Sequence, residues 1–384
     1  MPQTHQDSAV RTPICDRLGI ALPIFAFSHC RDVVVEVTKA GGFGVLGAAT
    51  ISPEQLEIEL RWIDEHVGGR PYGVDVIIPT AYDRAAEAAA DDPSRLVPAG
   101  HRAFVDQLLA AEGVPELPPD ERERIHREIA MGRGQMTPDG ARALVRTALR
   151  HPGVKMVVSA LGAPPPDVVD ELRQRGIVIG ALCGKPQHAR KQIAAGVEVI
   201  IAQGTEAGGH TGDIATLVLV PAVVDAVGPD VAVLAAGGIT SGRQIAACLA
   251  LGAQGVWCGS VWLTTRESEL EPFEKEAMFA ARAEDAVRRR ARTGKTVRML
   301  KSKLSEAFEQ PGAPPILPTP LQGILYNEAH ARVVRAKRRD LYSFPVGQAV
   351  GSLNAETSVR EVMYQMQLDY VEAMARLNAL AAEP

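Results

Sequence analysis

The chain has 384 residues, of which 46% are hydrophobic and 23% charged, with a formal net charge of −5. This is an ordinary soluble composition, long enough to bury a full core without staples, and it gives no general reason to expect a nucleic-acid partner. No run of about 18 apolar residues occurs, so no membrane span is expected.

The N-terminal stretch "MPQTHQDSAVRTPICDRLG" has no apolar segment of signal-peptide length. The five cysteines (Cys15, Cys30, Cys183, Cys248 and Cys258) are scattered, and no C-x-x-C pair occurs. Neither a disulfide framework nor a metal site is therefore expected, and a reducing, cytoplasmic setting fits best.

In chain order, eight short apolar runs read as strands: 22–27, 44–48, 72–78, 156–161, 178–182, 199–204, 231–237 and 255–260. They are continuous rather than alternating, the mark of strands buried on both faces in a parallel sheet. Several follow a glycine that ends a helical stretch, as in "TKAGGFGVLGA" (38–48) and "CLALGAQGVWCGS" (248–260). Helical segments lie between most of them. In 241–251, Ile245, Cys248 and Leu249 share one face behind Ser241 as a candidate N-cap. The pattern predicts an α/β fold, a (β/α)8 TIM barrel, with a doubly wound open sheet as the alternative.

Two regions break the rhythm. Residues 80–150 exceed what a βα crossover needs and predict a helical insertion over one end of the barrel. After the eighth strand come a charged helical segment, 266–310, and a proline-rich connection, 310–320. The helical segment includes the one basic run, "VRRRARTGKTVRMLKSK" (287–303), which reads as a solvated helical face before it reads as a polyanion site. The final helical stretch, 357–382, places Met363, Met366 and Tyr370 on one face suited to covering a core.

In a parallel barrel the active site lies at the C-terminal strand ends. "QGTEAGGHTG" (203–212) follows the sixth strand and puts His210 there, behind Gly208 and Gly209. Glycines let the backbone approach a flat or charged ligand, and an imidazole exchanges protons near neutral pH. A glycine-rich turn with an incidental histidine explains the same residues. "AAGGITSGRQ" (235–244) and "CGSVW" (258–262) end strands seven and eight. Gly237, Gly238, Gly259 and Ser260 there offer backbone N–H groups and a hydroxyl where such barrels hold phosphate. A Walker loop is absent, and the G-x-G-x-x-G match at 42–47 runs into a strand instead of following one, which disfavours a Rossmann-bound dinucleotide. Flavin mononucleotide (FMN) fits this arrangement, and so does a sugar-phosphate isomerase.

The stretches "AGGFGVLGA" (40–48), "QGTEAGGHTG" (203–212) and "AAGGITSGRQIAACLALGAQGVWCGSVWLTTRES" (235–268), with "GQAVGSL" (347–353), resemble the nitronate monooxygenase family, formerly 2-nitropropane dioxygenases. The E-A-G-G-H motif is shared with the flavin-dependent enoyl-ACP reductases of the same superfamily. The resemblance implies a TIM barrel (1–264) with non-covalent FMN, a smaller α/β domain (265–340) and a C-terminal segment (341–384) returning to the barrel. It implies that His210 is the catalytic histidine and that Gln203 and Gly209 contact the flavin. It also implies phosphate binding at Gly237, Gly238, Gly259 and Ser260. The implied reaction is oxidation of a small anionic nitronate by oxygen to a carbonyl compound and nitrite. Alternatives are an NAD(P)H-dependent flavin reductase acting on a quinone or enoyl thioester, and a flavin-binding protein without turnover.

Two stretches depart from the family pattern. After the first strand, "IFAFSHCRD" (24–32) places Phe27, Ser28 and His29 where small residues and methionine are usual. At the third strand, "YGVDVIIP" supplies Asp75 near the expected flavin position. A carboxylate there opposes an anionic reduced flavin unless it is protonated or paired.

Overall fold

The computed structural model describes residues 10–78 and 96–382. Eight parallel strands close into a barrel in the order β1 (Ile24–Ser28), β2 (Phe43–Gly47), β3 (Tyr72–Val76), β4 (Val154–Ser159), β5 (Val178–Cys183), β6 (Val199–Gln203), β8 (Ala232–Ala236) and β9 (Gly255–Cys258), with β9 back on β1. All eight predicted runs are barrel strands, and the chain is an α/β TIM barrel rather than an open sheet. The ends differ by a residue or two. At β1, for example, Pro23 has no N–H to give a ladder, although its carbonyl accepts from Val256 N–H at 2.9 Å.

Alternate strand residues face opposite sides. Phe25, Phe43, Val45, Met156, Val158, Val199, Ile201, Leu234 and Trp257 fill the barrel interior. Their neighbours, such as Val74, Val76, Val157 and Ile200, form the layer under the surrounding helices. The last helix, Val359–Ala382, packs on the helix Gly242–Ala250, and Met363 and Met366 are buried in this outer layer.

The expected insertion resolves into unlike parts, while residues 79–95 lie outside those described. The helix Pro138–Ala148 packs on Pro53–His66 and on β3, so it serves as the barrel's own β3–β4 crossover. The helix Ala99–Ala111 instead sends Val105 and Leu109 into a separate apolar cluster with Met278, Met299, Leu325 and Tyr326. That cluster underlies a three-stranded antiparallel sheet in the order β10 (Ala286–Arg289), β11 (Val297–Leu300) and β7 (Gly209–His210). The basic run, expected to be helical, is instead the β10–β11 hairpin, because its backbone pairs across Ala286–Arg289 and Val297–Leu300. Among the described residues no helix is long and apolar enough to cross a membrane.

Candidate active site

The strand pairing sets the position of His210. The two-residue β7 leaves the top of β6 and pairs with β11, with Val297 opposite His210 and Arg298 opposite Gly209. The exposed imidazole is then held by the β10–β11 turn, with its Nε2 3.0 Å from Thr293 Oγ1. Desolvation against this hairpin, then the cations Lys295 and Arg292, hold the ring's pKa below the ordinary imidazole range. The ring is therefore neutral at pH 7, with one donor and one acceptor nitrogen.

The loop leading to His210 is fixed on three sides. Glu206 accepts hydrogen bonds from Thr216 N–H (2.9 Å) and Thr216 Oγ1 (2.8 Å), capping the helix Thr216–Val227. The buried Arg298 donates from Nε to the Thr205 carbonyl at 2.7 Å and from Nη1 to the Ala286 carbonyl. The segment 346–348 closes over the loop: Gln348 N–H donates to the Glu206 carbonyl (2.9 Å) and Gly347 N–H to Ser260 Oγ (2.9 Å). The two glycines before the histidine serve different ends. A Cβ on Gly208 would stand 2.8 Å from the Val346 carbonyl carbon, so this glycine admits the chain's own backbone. Gly209, at φ +80°, has open space on that side, free for a ligand.

The N–H groups expected at Gly237 and Gly238 are open, whereas those at the helix start behind them are not. The helix start is already capped by a side chain: Gln244 Oε1 accepts from the N–H groups of Thr240 (2.8 Å) and Ser241 (3.1 Å). The open donors lie earlier. Gly237 (φ +111°) and Gly238 (φ +73°) adopt left-handed conformations, and their N–H groups donate to no described residue. A Cβ on Gly237 would meet Thr216 Oγ1 at 2.8 Å. Ser260 Oγ accepts from Gly347 and keeps its own hydrogen to donate. Gly259 is only partly buried and uncrowded: an added Cβ would find Phe27 Cδ1 at 3.9 Å. Gly237 and Gly238 border a cleft of about 1570 Å³ that is also lined by Glu206, Arg243 and Ser352 and lies outside the barrel mouth. Paired glycine N–H groups with a hydroxyl beside them fit a phosphate monoester.

The barrel mouth is aromatic. The Phe27 ring stacks on Trp257 (centroids 6.0 Å apart, 25°) and meets His29 edge-on at 5.2 Å. His29 Nδ1 donates to the Gly47 carbonyl at 2.9 Å, which places a second imidazole at the mouth. Gly47 is required here, because a Cβ would stand 2.7 Å from His29 Nδ1 and 2.9 Å from Phe27 Cζ. Asp75 pairs in register with Gly47 and Val158, alternates with outward Val74 and Val76, and so faces the interior. It is 4% exposed, and burial raises its carboxyl pKa well above the usual range. A protonated Asp75 removes the conflict with a reduced anionic ring. Gln203 ends β6 on the interior-facing phase of Val199 and Ile201, and its carboxamide bonds to no described residue. Ser28 shares the outward phase of Ile24 and Ala26, and its hydroxyl accepts from Cys30 N–H at 3.1 Å. Its side chain is turned away from the mouth.

His210, Gly209, Gln203, Phe27 and Asp75 therefore gather at one end of the barrel, with the Gly237–Gly238 cradle on its rim. The residues that reasoning from sequence missed are Thr293, Lys295 and Arg298, which belong to the hairpin, and Trp257. The basic run was the available signal, but nothing local in it says that it pairs with the histidine strand.

The sequence profile described as nitronate monooxygenase matches residues 27–369. A Mycobacterium tuberculosis protein provisionally named a monooxygenase is 48% identical over 97% of this chain and 99% of its own length. A Staphylococcus saprophyticus protein provisionally named nitronate monooxygenase is 28% identical over 76% of this chain and 79% of its own. Among solved structures, nitroalkane oxidase from Streptomyces ansochromogenes superposes with a TM-score of 0.76 at 27% identity, covering 95% of this chain and 99% of that one. FabK from Thermotoga maritima superposes at 0.69 and 24% identity, covering 97% and 100%, a likeness of fold.

Proposed function

The chain belongs to the nitronate monooxygenase family and is a flavin-dependent oxidoreductase, and from that premise we propose that it binds FMN and oxidises alkyl nitronates with oxygen to a carbonyl compound and nitrite. The observation that carries this reading is the setting of His210: a neutral imidazole at the barrel mouth, tied to Thr293 and flanked by Lys295 and Arg292. On this reading the chain divides into a barrel (1–264), a smaller α/β domain (265–340) that presents the hairpin to His210, and a segment (341–384) that returns to clamp the Glu206–Gly208 loop.

Gly237, Gly238, Gly259 and Ser260 would hold the FMN phosphate through backbone N–H groups and one hydroxyl. Gln203, Gly209 and the interior-facing Phe27 and Asp75 would meet the ring system. When bound, FMN supplies the electron acceptor and the route of electrons to oxygen. The chain's own part is binding, orientation and charge. The exposed Lys295 on the turn that holds His210 would favour a small anion at the mouth, with Arg292 adding positive potential from its place on the Tyr326 ring. The neutral imidazole either donates its N–H to a nitronate oxygen or accepts the α-proton of the parent nitroalkane at its free nitrogen. The Phe27–Trp257 stack would give the site an apolar floor.

The test is oxygen uptake and nitrite release with propane-2-nitronate, comparing wild type with His210→Ala. The proposal expects activity in the wild type and a loss of roughly 100-fold or more in the variant. Equal activity in both would remove His210 from catalysis.

A further inference from the structure

The barrel mouth holds two imidazoles, and they are bonded differently. His29 follows β1 on the inward phase of Phe25 and Phe27. Its ring is placed from two directions. Phe27 meets it edge-on, with centroids 5.2 Å apart. On β2, Gly47 shares the inward phase of Phe43 and Val45, and a Cβ there would stand 2.7 Å from His29 Nδ1 and 2.8 Å from its Cε1. The ring therefore lies across the inward face of the end of β2, in space that only a glycine leaves. Nδ1 is 2.9 Å from the Gly47 carbonyl. A carbonyl oxygen only accepts, so Nδ1 carries the hydrogen, and in the neutral ring Nε2 holds the free lone pair. Nε2 bonds to no described residue, and the side chain is exposed. His210 is placed less well to act as a base. Its Nε2 stands 3.0 Å from Thr293 Oγ1, and the charges of Lys295 and Arg292 oppose a further positive charge on the ring.

We propose that His29 is a second catalytic residue, the general base that takes the α-proton of a neutral nitroalkane at Nε2, while His210 holds the nitronate so formed. The assignment rests on the nitronate chemistry proposed above and widens its substrate from the anion to the parent nitroalkane. The step is a proton transfer. The α-C–H bond breaks, its electron pair becomes the C=N bond of the nitronate, and the N=O pair moves onto oxygen. The proton forms a new N–H bond at His29 Nε2, and the exposed imidazolium passes it to solvent. Two imidazoles resolve a conflict that one would face. The cations that favour the anion beside His210 also disfavour protonation of that same ring, so base and anion holder are better separated.

The experiment has two readouts on the flavin-loaded protein. Proton NMR follows exchange of the α-hydrogen of 2-nitropropane with deuterated solvent, without oxygen. Nitrite release is measured in air with 2-nitropropane and with propane-2-nitronate. The proteins are wild type, H29Q, H29A, G47A and H66Q, the last an exposed histidine ending the helix Pro53–His66 at the opposite end of the barrel. Wild type and H66Q should catalyse exchange alike, and H29Q roughly 100-fold more slowly. In nitrite release, H29Q should lose about tenfold more with the nitroalkane than with the nitronate, which needs no base. G47A keeps the imidazole but drives a Cβ into its ring, so it should slow exchange as well. Free imidazole should restore exchange in H29A, which a packing role would not allow. Exchange in H29Q at the wild-type rate, equal losses on the two substrates, or no rescue of H29A would each overturn the proposal. Wild type that exchanges the α-hydrogen but releases no nitrite would support the base and sink the nitronate reading. Wild type that oxidises the nitronate but exchanges no α-hydrogen would do the reverse.

Discussion

Thr293 Oγ1 stands 3.0 Å from His210 Nε2, joining the barrel's sixth strand end to a hairpin more than 80 residues later in the chain. The histidine is exposed, so this bond orients the ring more than it stabilises the fold. Thr293→Val keeps the volume and removes the hydroxyl. A neutral hydrogen bond is worth about 1 kcal/mol, so kcat/KM for nitronate oxidation should fall roughly fivefold with little change in Tm. Steady-state nitrite release checks the first part and thermal unfolding the second.

Because desolvation and the Lys295 and Arg292 charges lower the His210 pKa, the acid limb of the kcat/KM profile should lie below the ordinary imidazole value of about 6.5. Removing Lys295 takes away one of these charges, so Lys295→Ala should move the limb upward. A pH profile of wild type and variant decides this, and a limb that moves downward or stays in place would contradict the assignment.

Asp75 is buried and its pKa is raised by desolvation. The folded state therefore holds a proton that the unfolded chain releases near pH 4, and the carboxyl contributes falling stability as pH rises from there toward its folded pKa. Asp75→Asn is neutral at every pH and removes that slope. Urea unfolding should show the variant gaining on wild type between pH 5 and pH 8, whereas parallel pH dependences would show that Asp75 is not held protonated.

Glu57 behaves oppositely. The Arg150 guanidinium, 2.7 Å away, and the His151 ring beside it hold its pKa at about 2. Its contribution is present above the unfolded value of about 4.3 and is lost as pH falls toward 2. The carboxylate is solvent-accessible, so Glu57→Gln should lower Tm slightly at pH 7, less so in high salt, and not at all near pH 2.

The glycines separate packing from binding. Gly208→Ala drives a Cβ to 2.8 Å from the backbone of Val346, which cannot yield as a side-chain tip could. It should lose about 1–3 kcal/mol in stability. Gly259→Ala meets nothing closer than 3.9 Å at φ −120°, so its Tm should stay near wild type. Thermal unfolding of the two variants side by side checks the contrast.

The barrel was legible in the sequence because each strand is a continuous apolar run bounded by helix signals, a pattern that local chemistry writes directly. The position of His210 followed from the same pattern, since a loop after a parallel strand lies at the barrel's C-terminal end. The hairpin's role was not legible: the pairing of Val297 with His210 is a contact between distant segments, and a two-residue strand carries no periodicity. Nothing local in the sequence shows that the Gln244 carboxamide folds back onto the N–H groups of Thr240 and Ser241, leaving those of Gly237 and Gly238 as the open donors. Ser28 shows the limit of proximity in sequence, because one step along a strand turns a side chain to the opposite face.

On the proposed function, the bound flavin takes electrons from a nitronate. Anaerobic titration of the purified protein, following the oxidised-flavin absorbance band, tests this most directly, with propane-2-nitronate added to one sample and NAD(P)H to another. Nitronate should bleach the band in wild type and fail to do so in His210→Ala. Bleaching by NAD(P)H alone would contradict it and make the protein a nicotinamide-dependent flavin reductase.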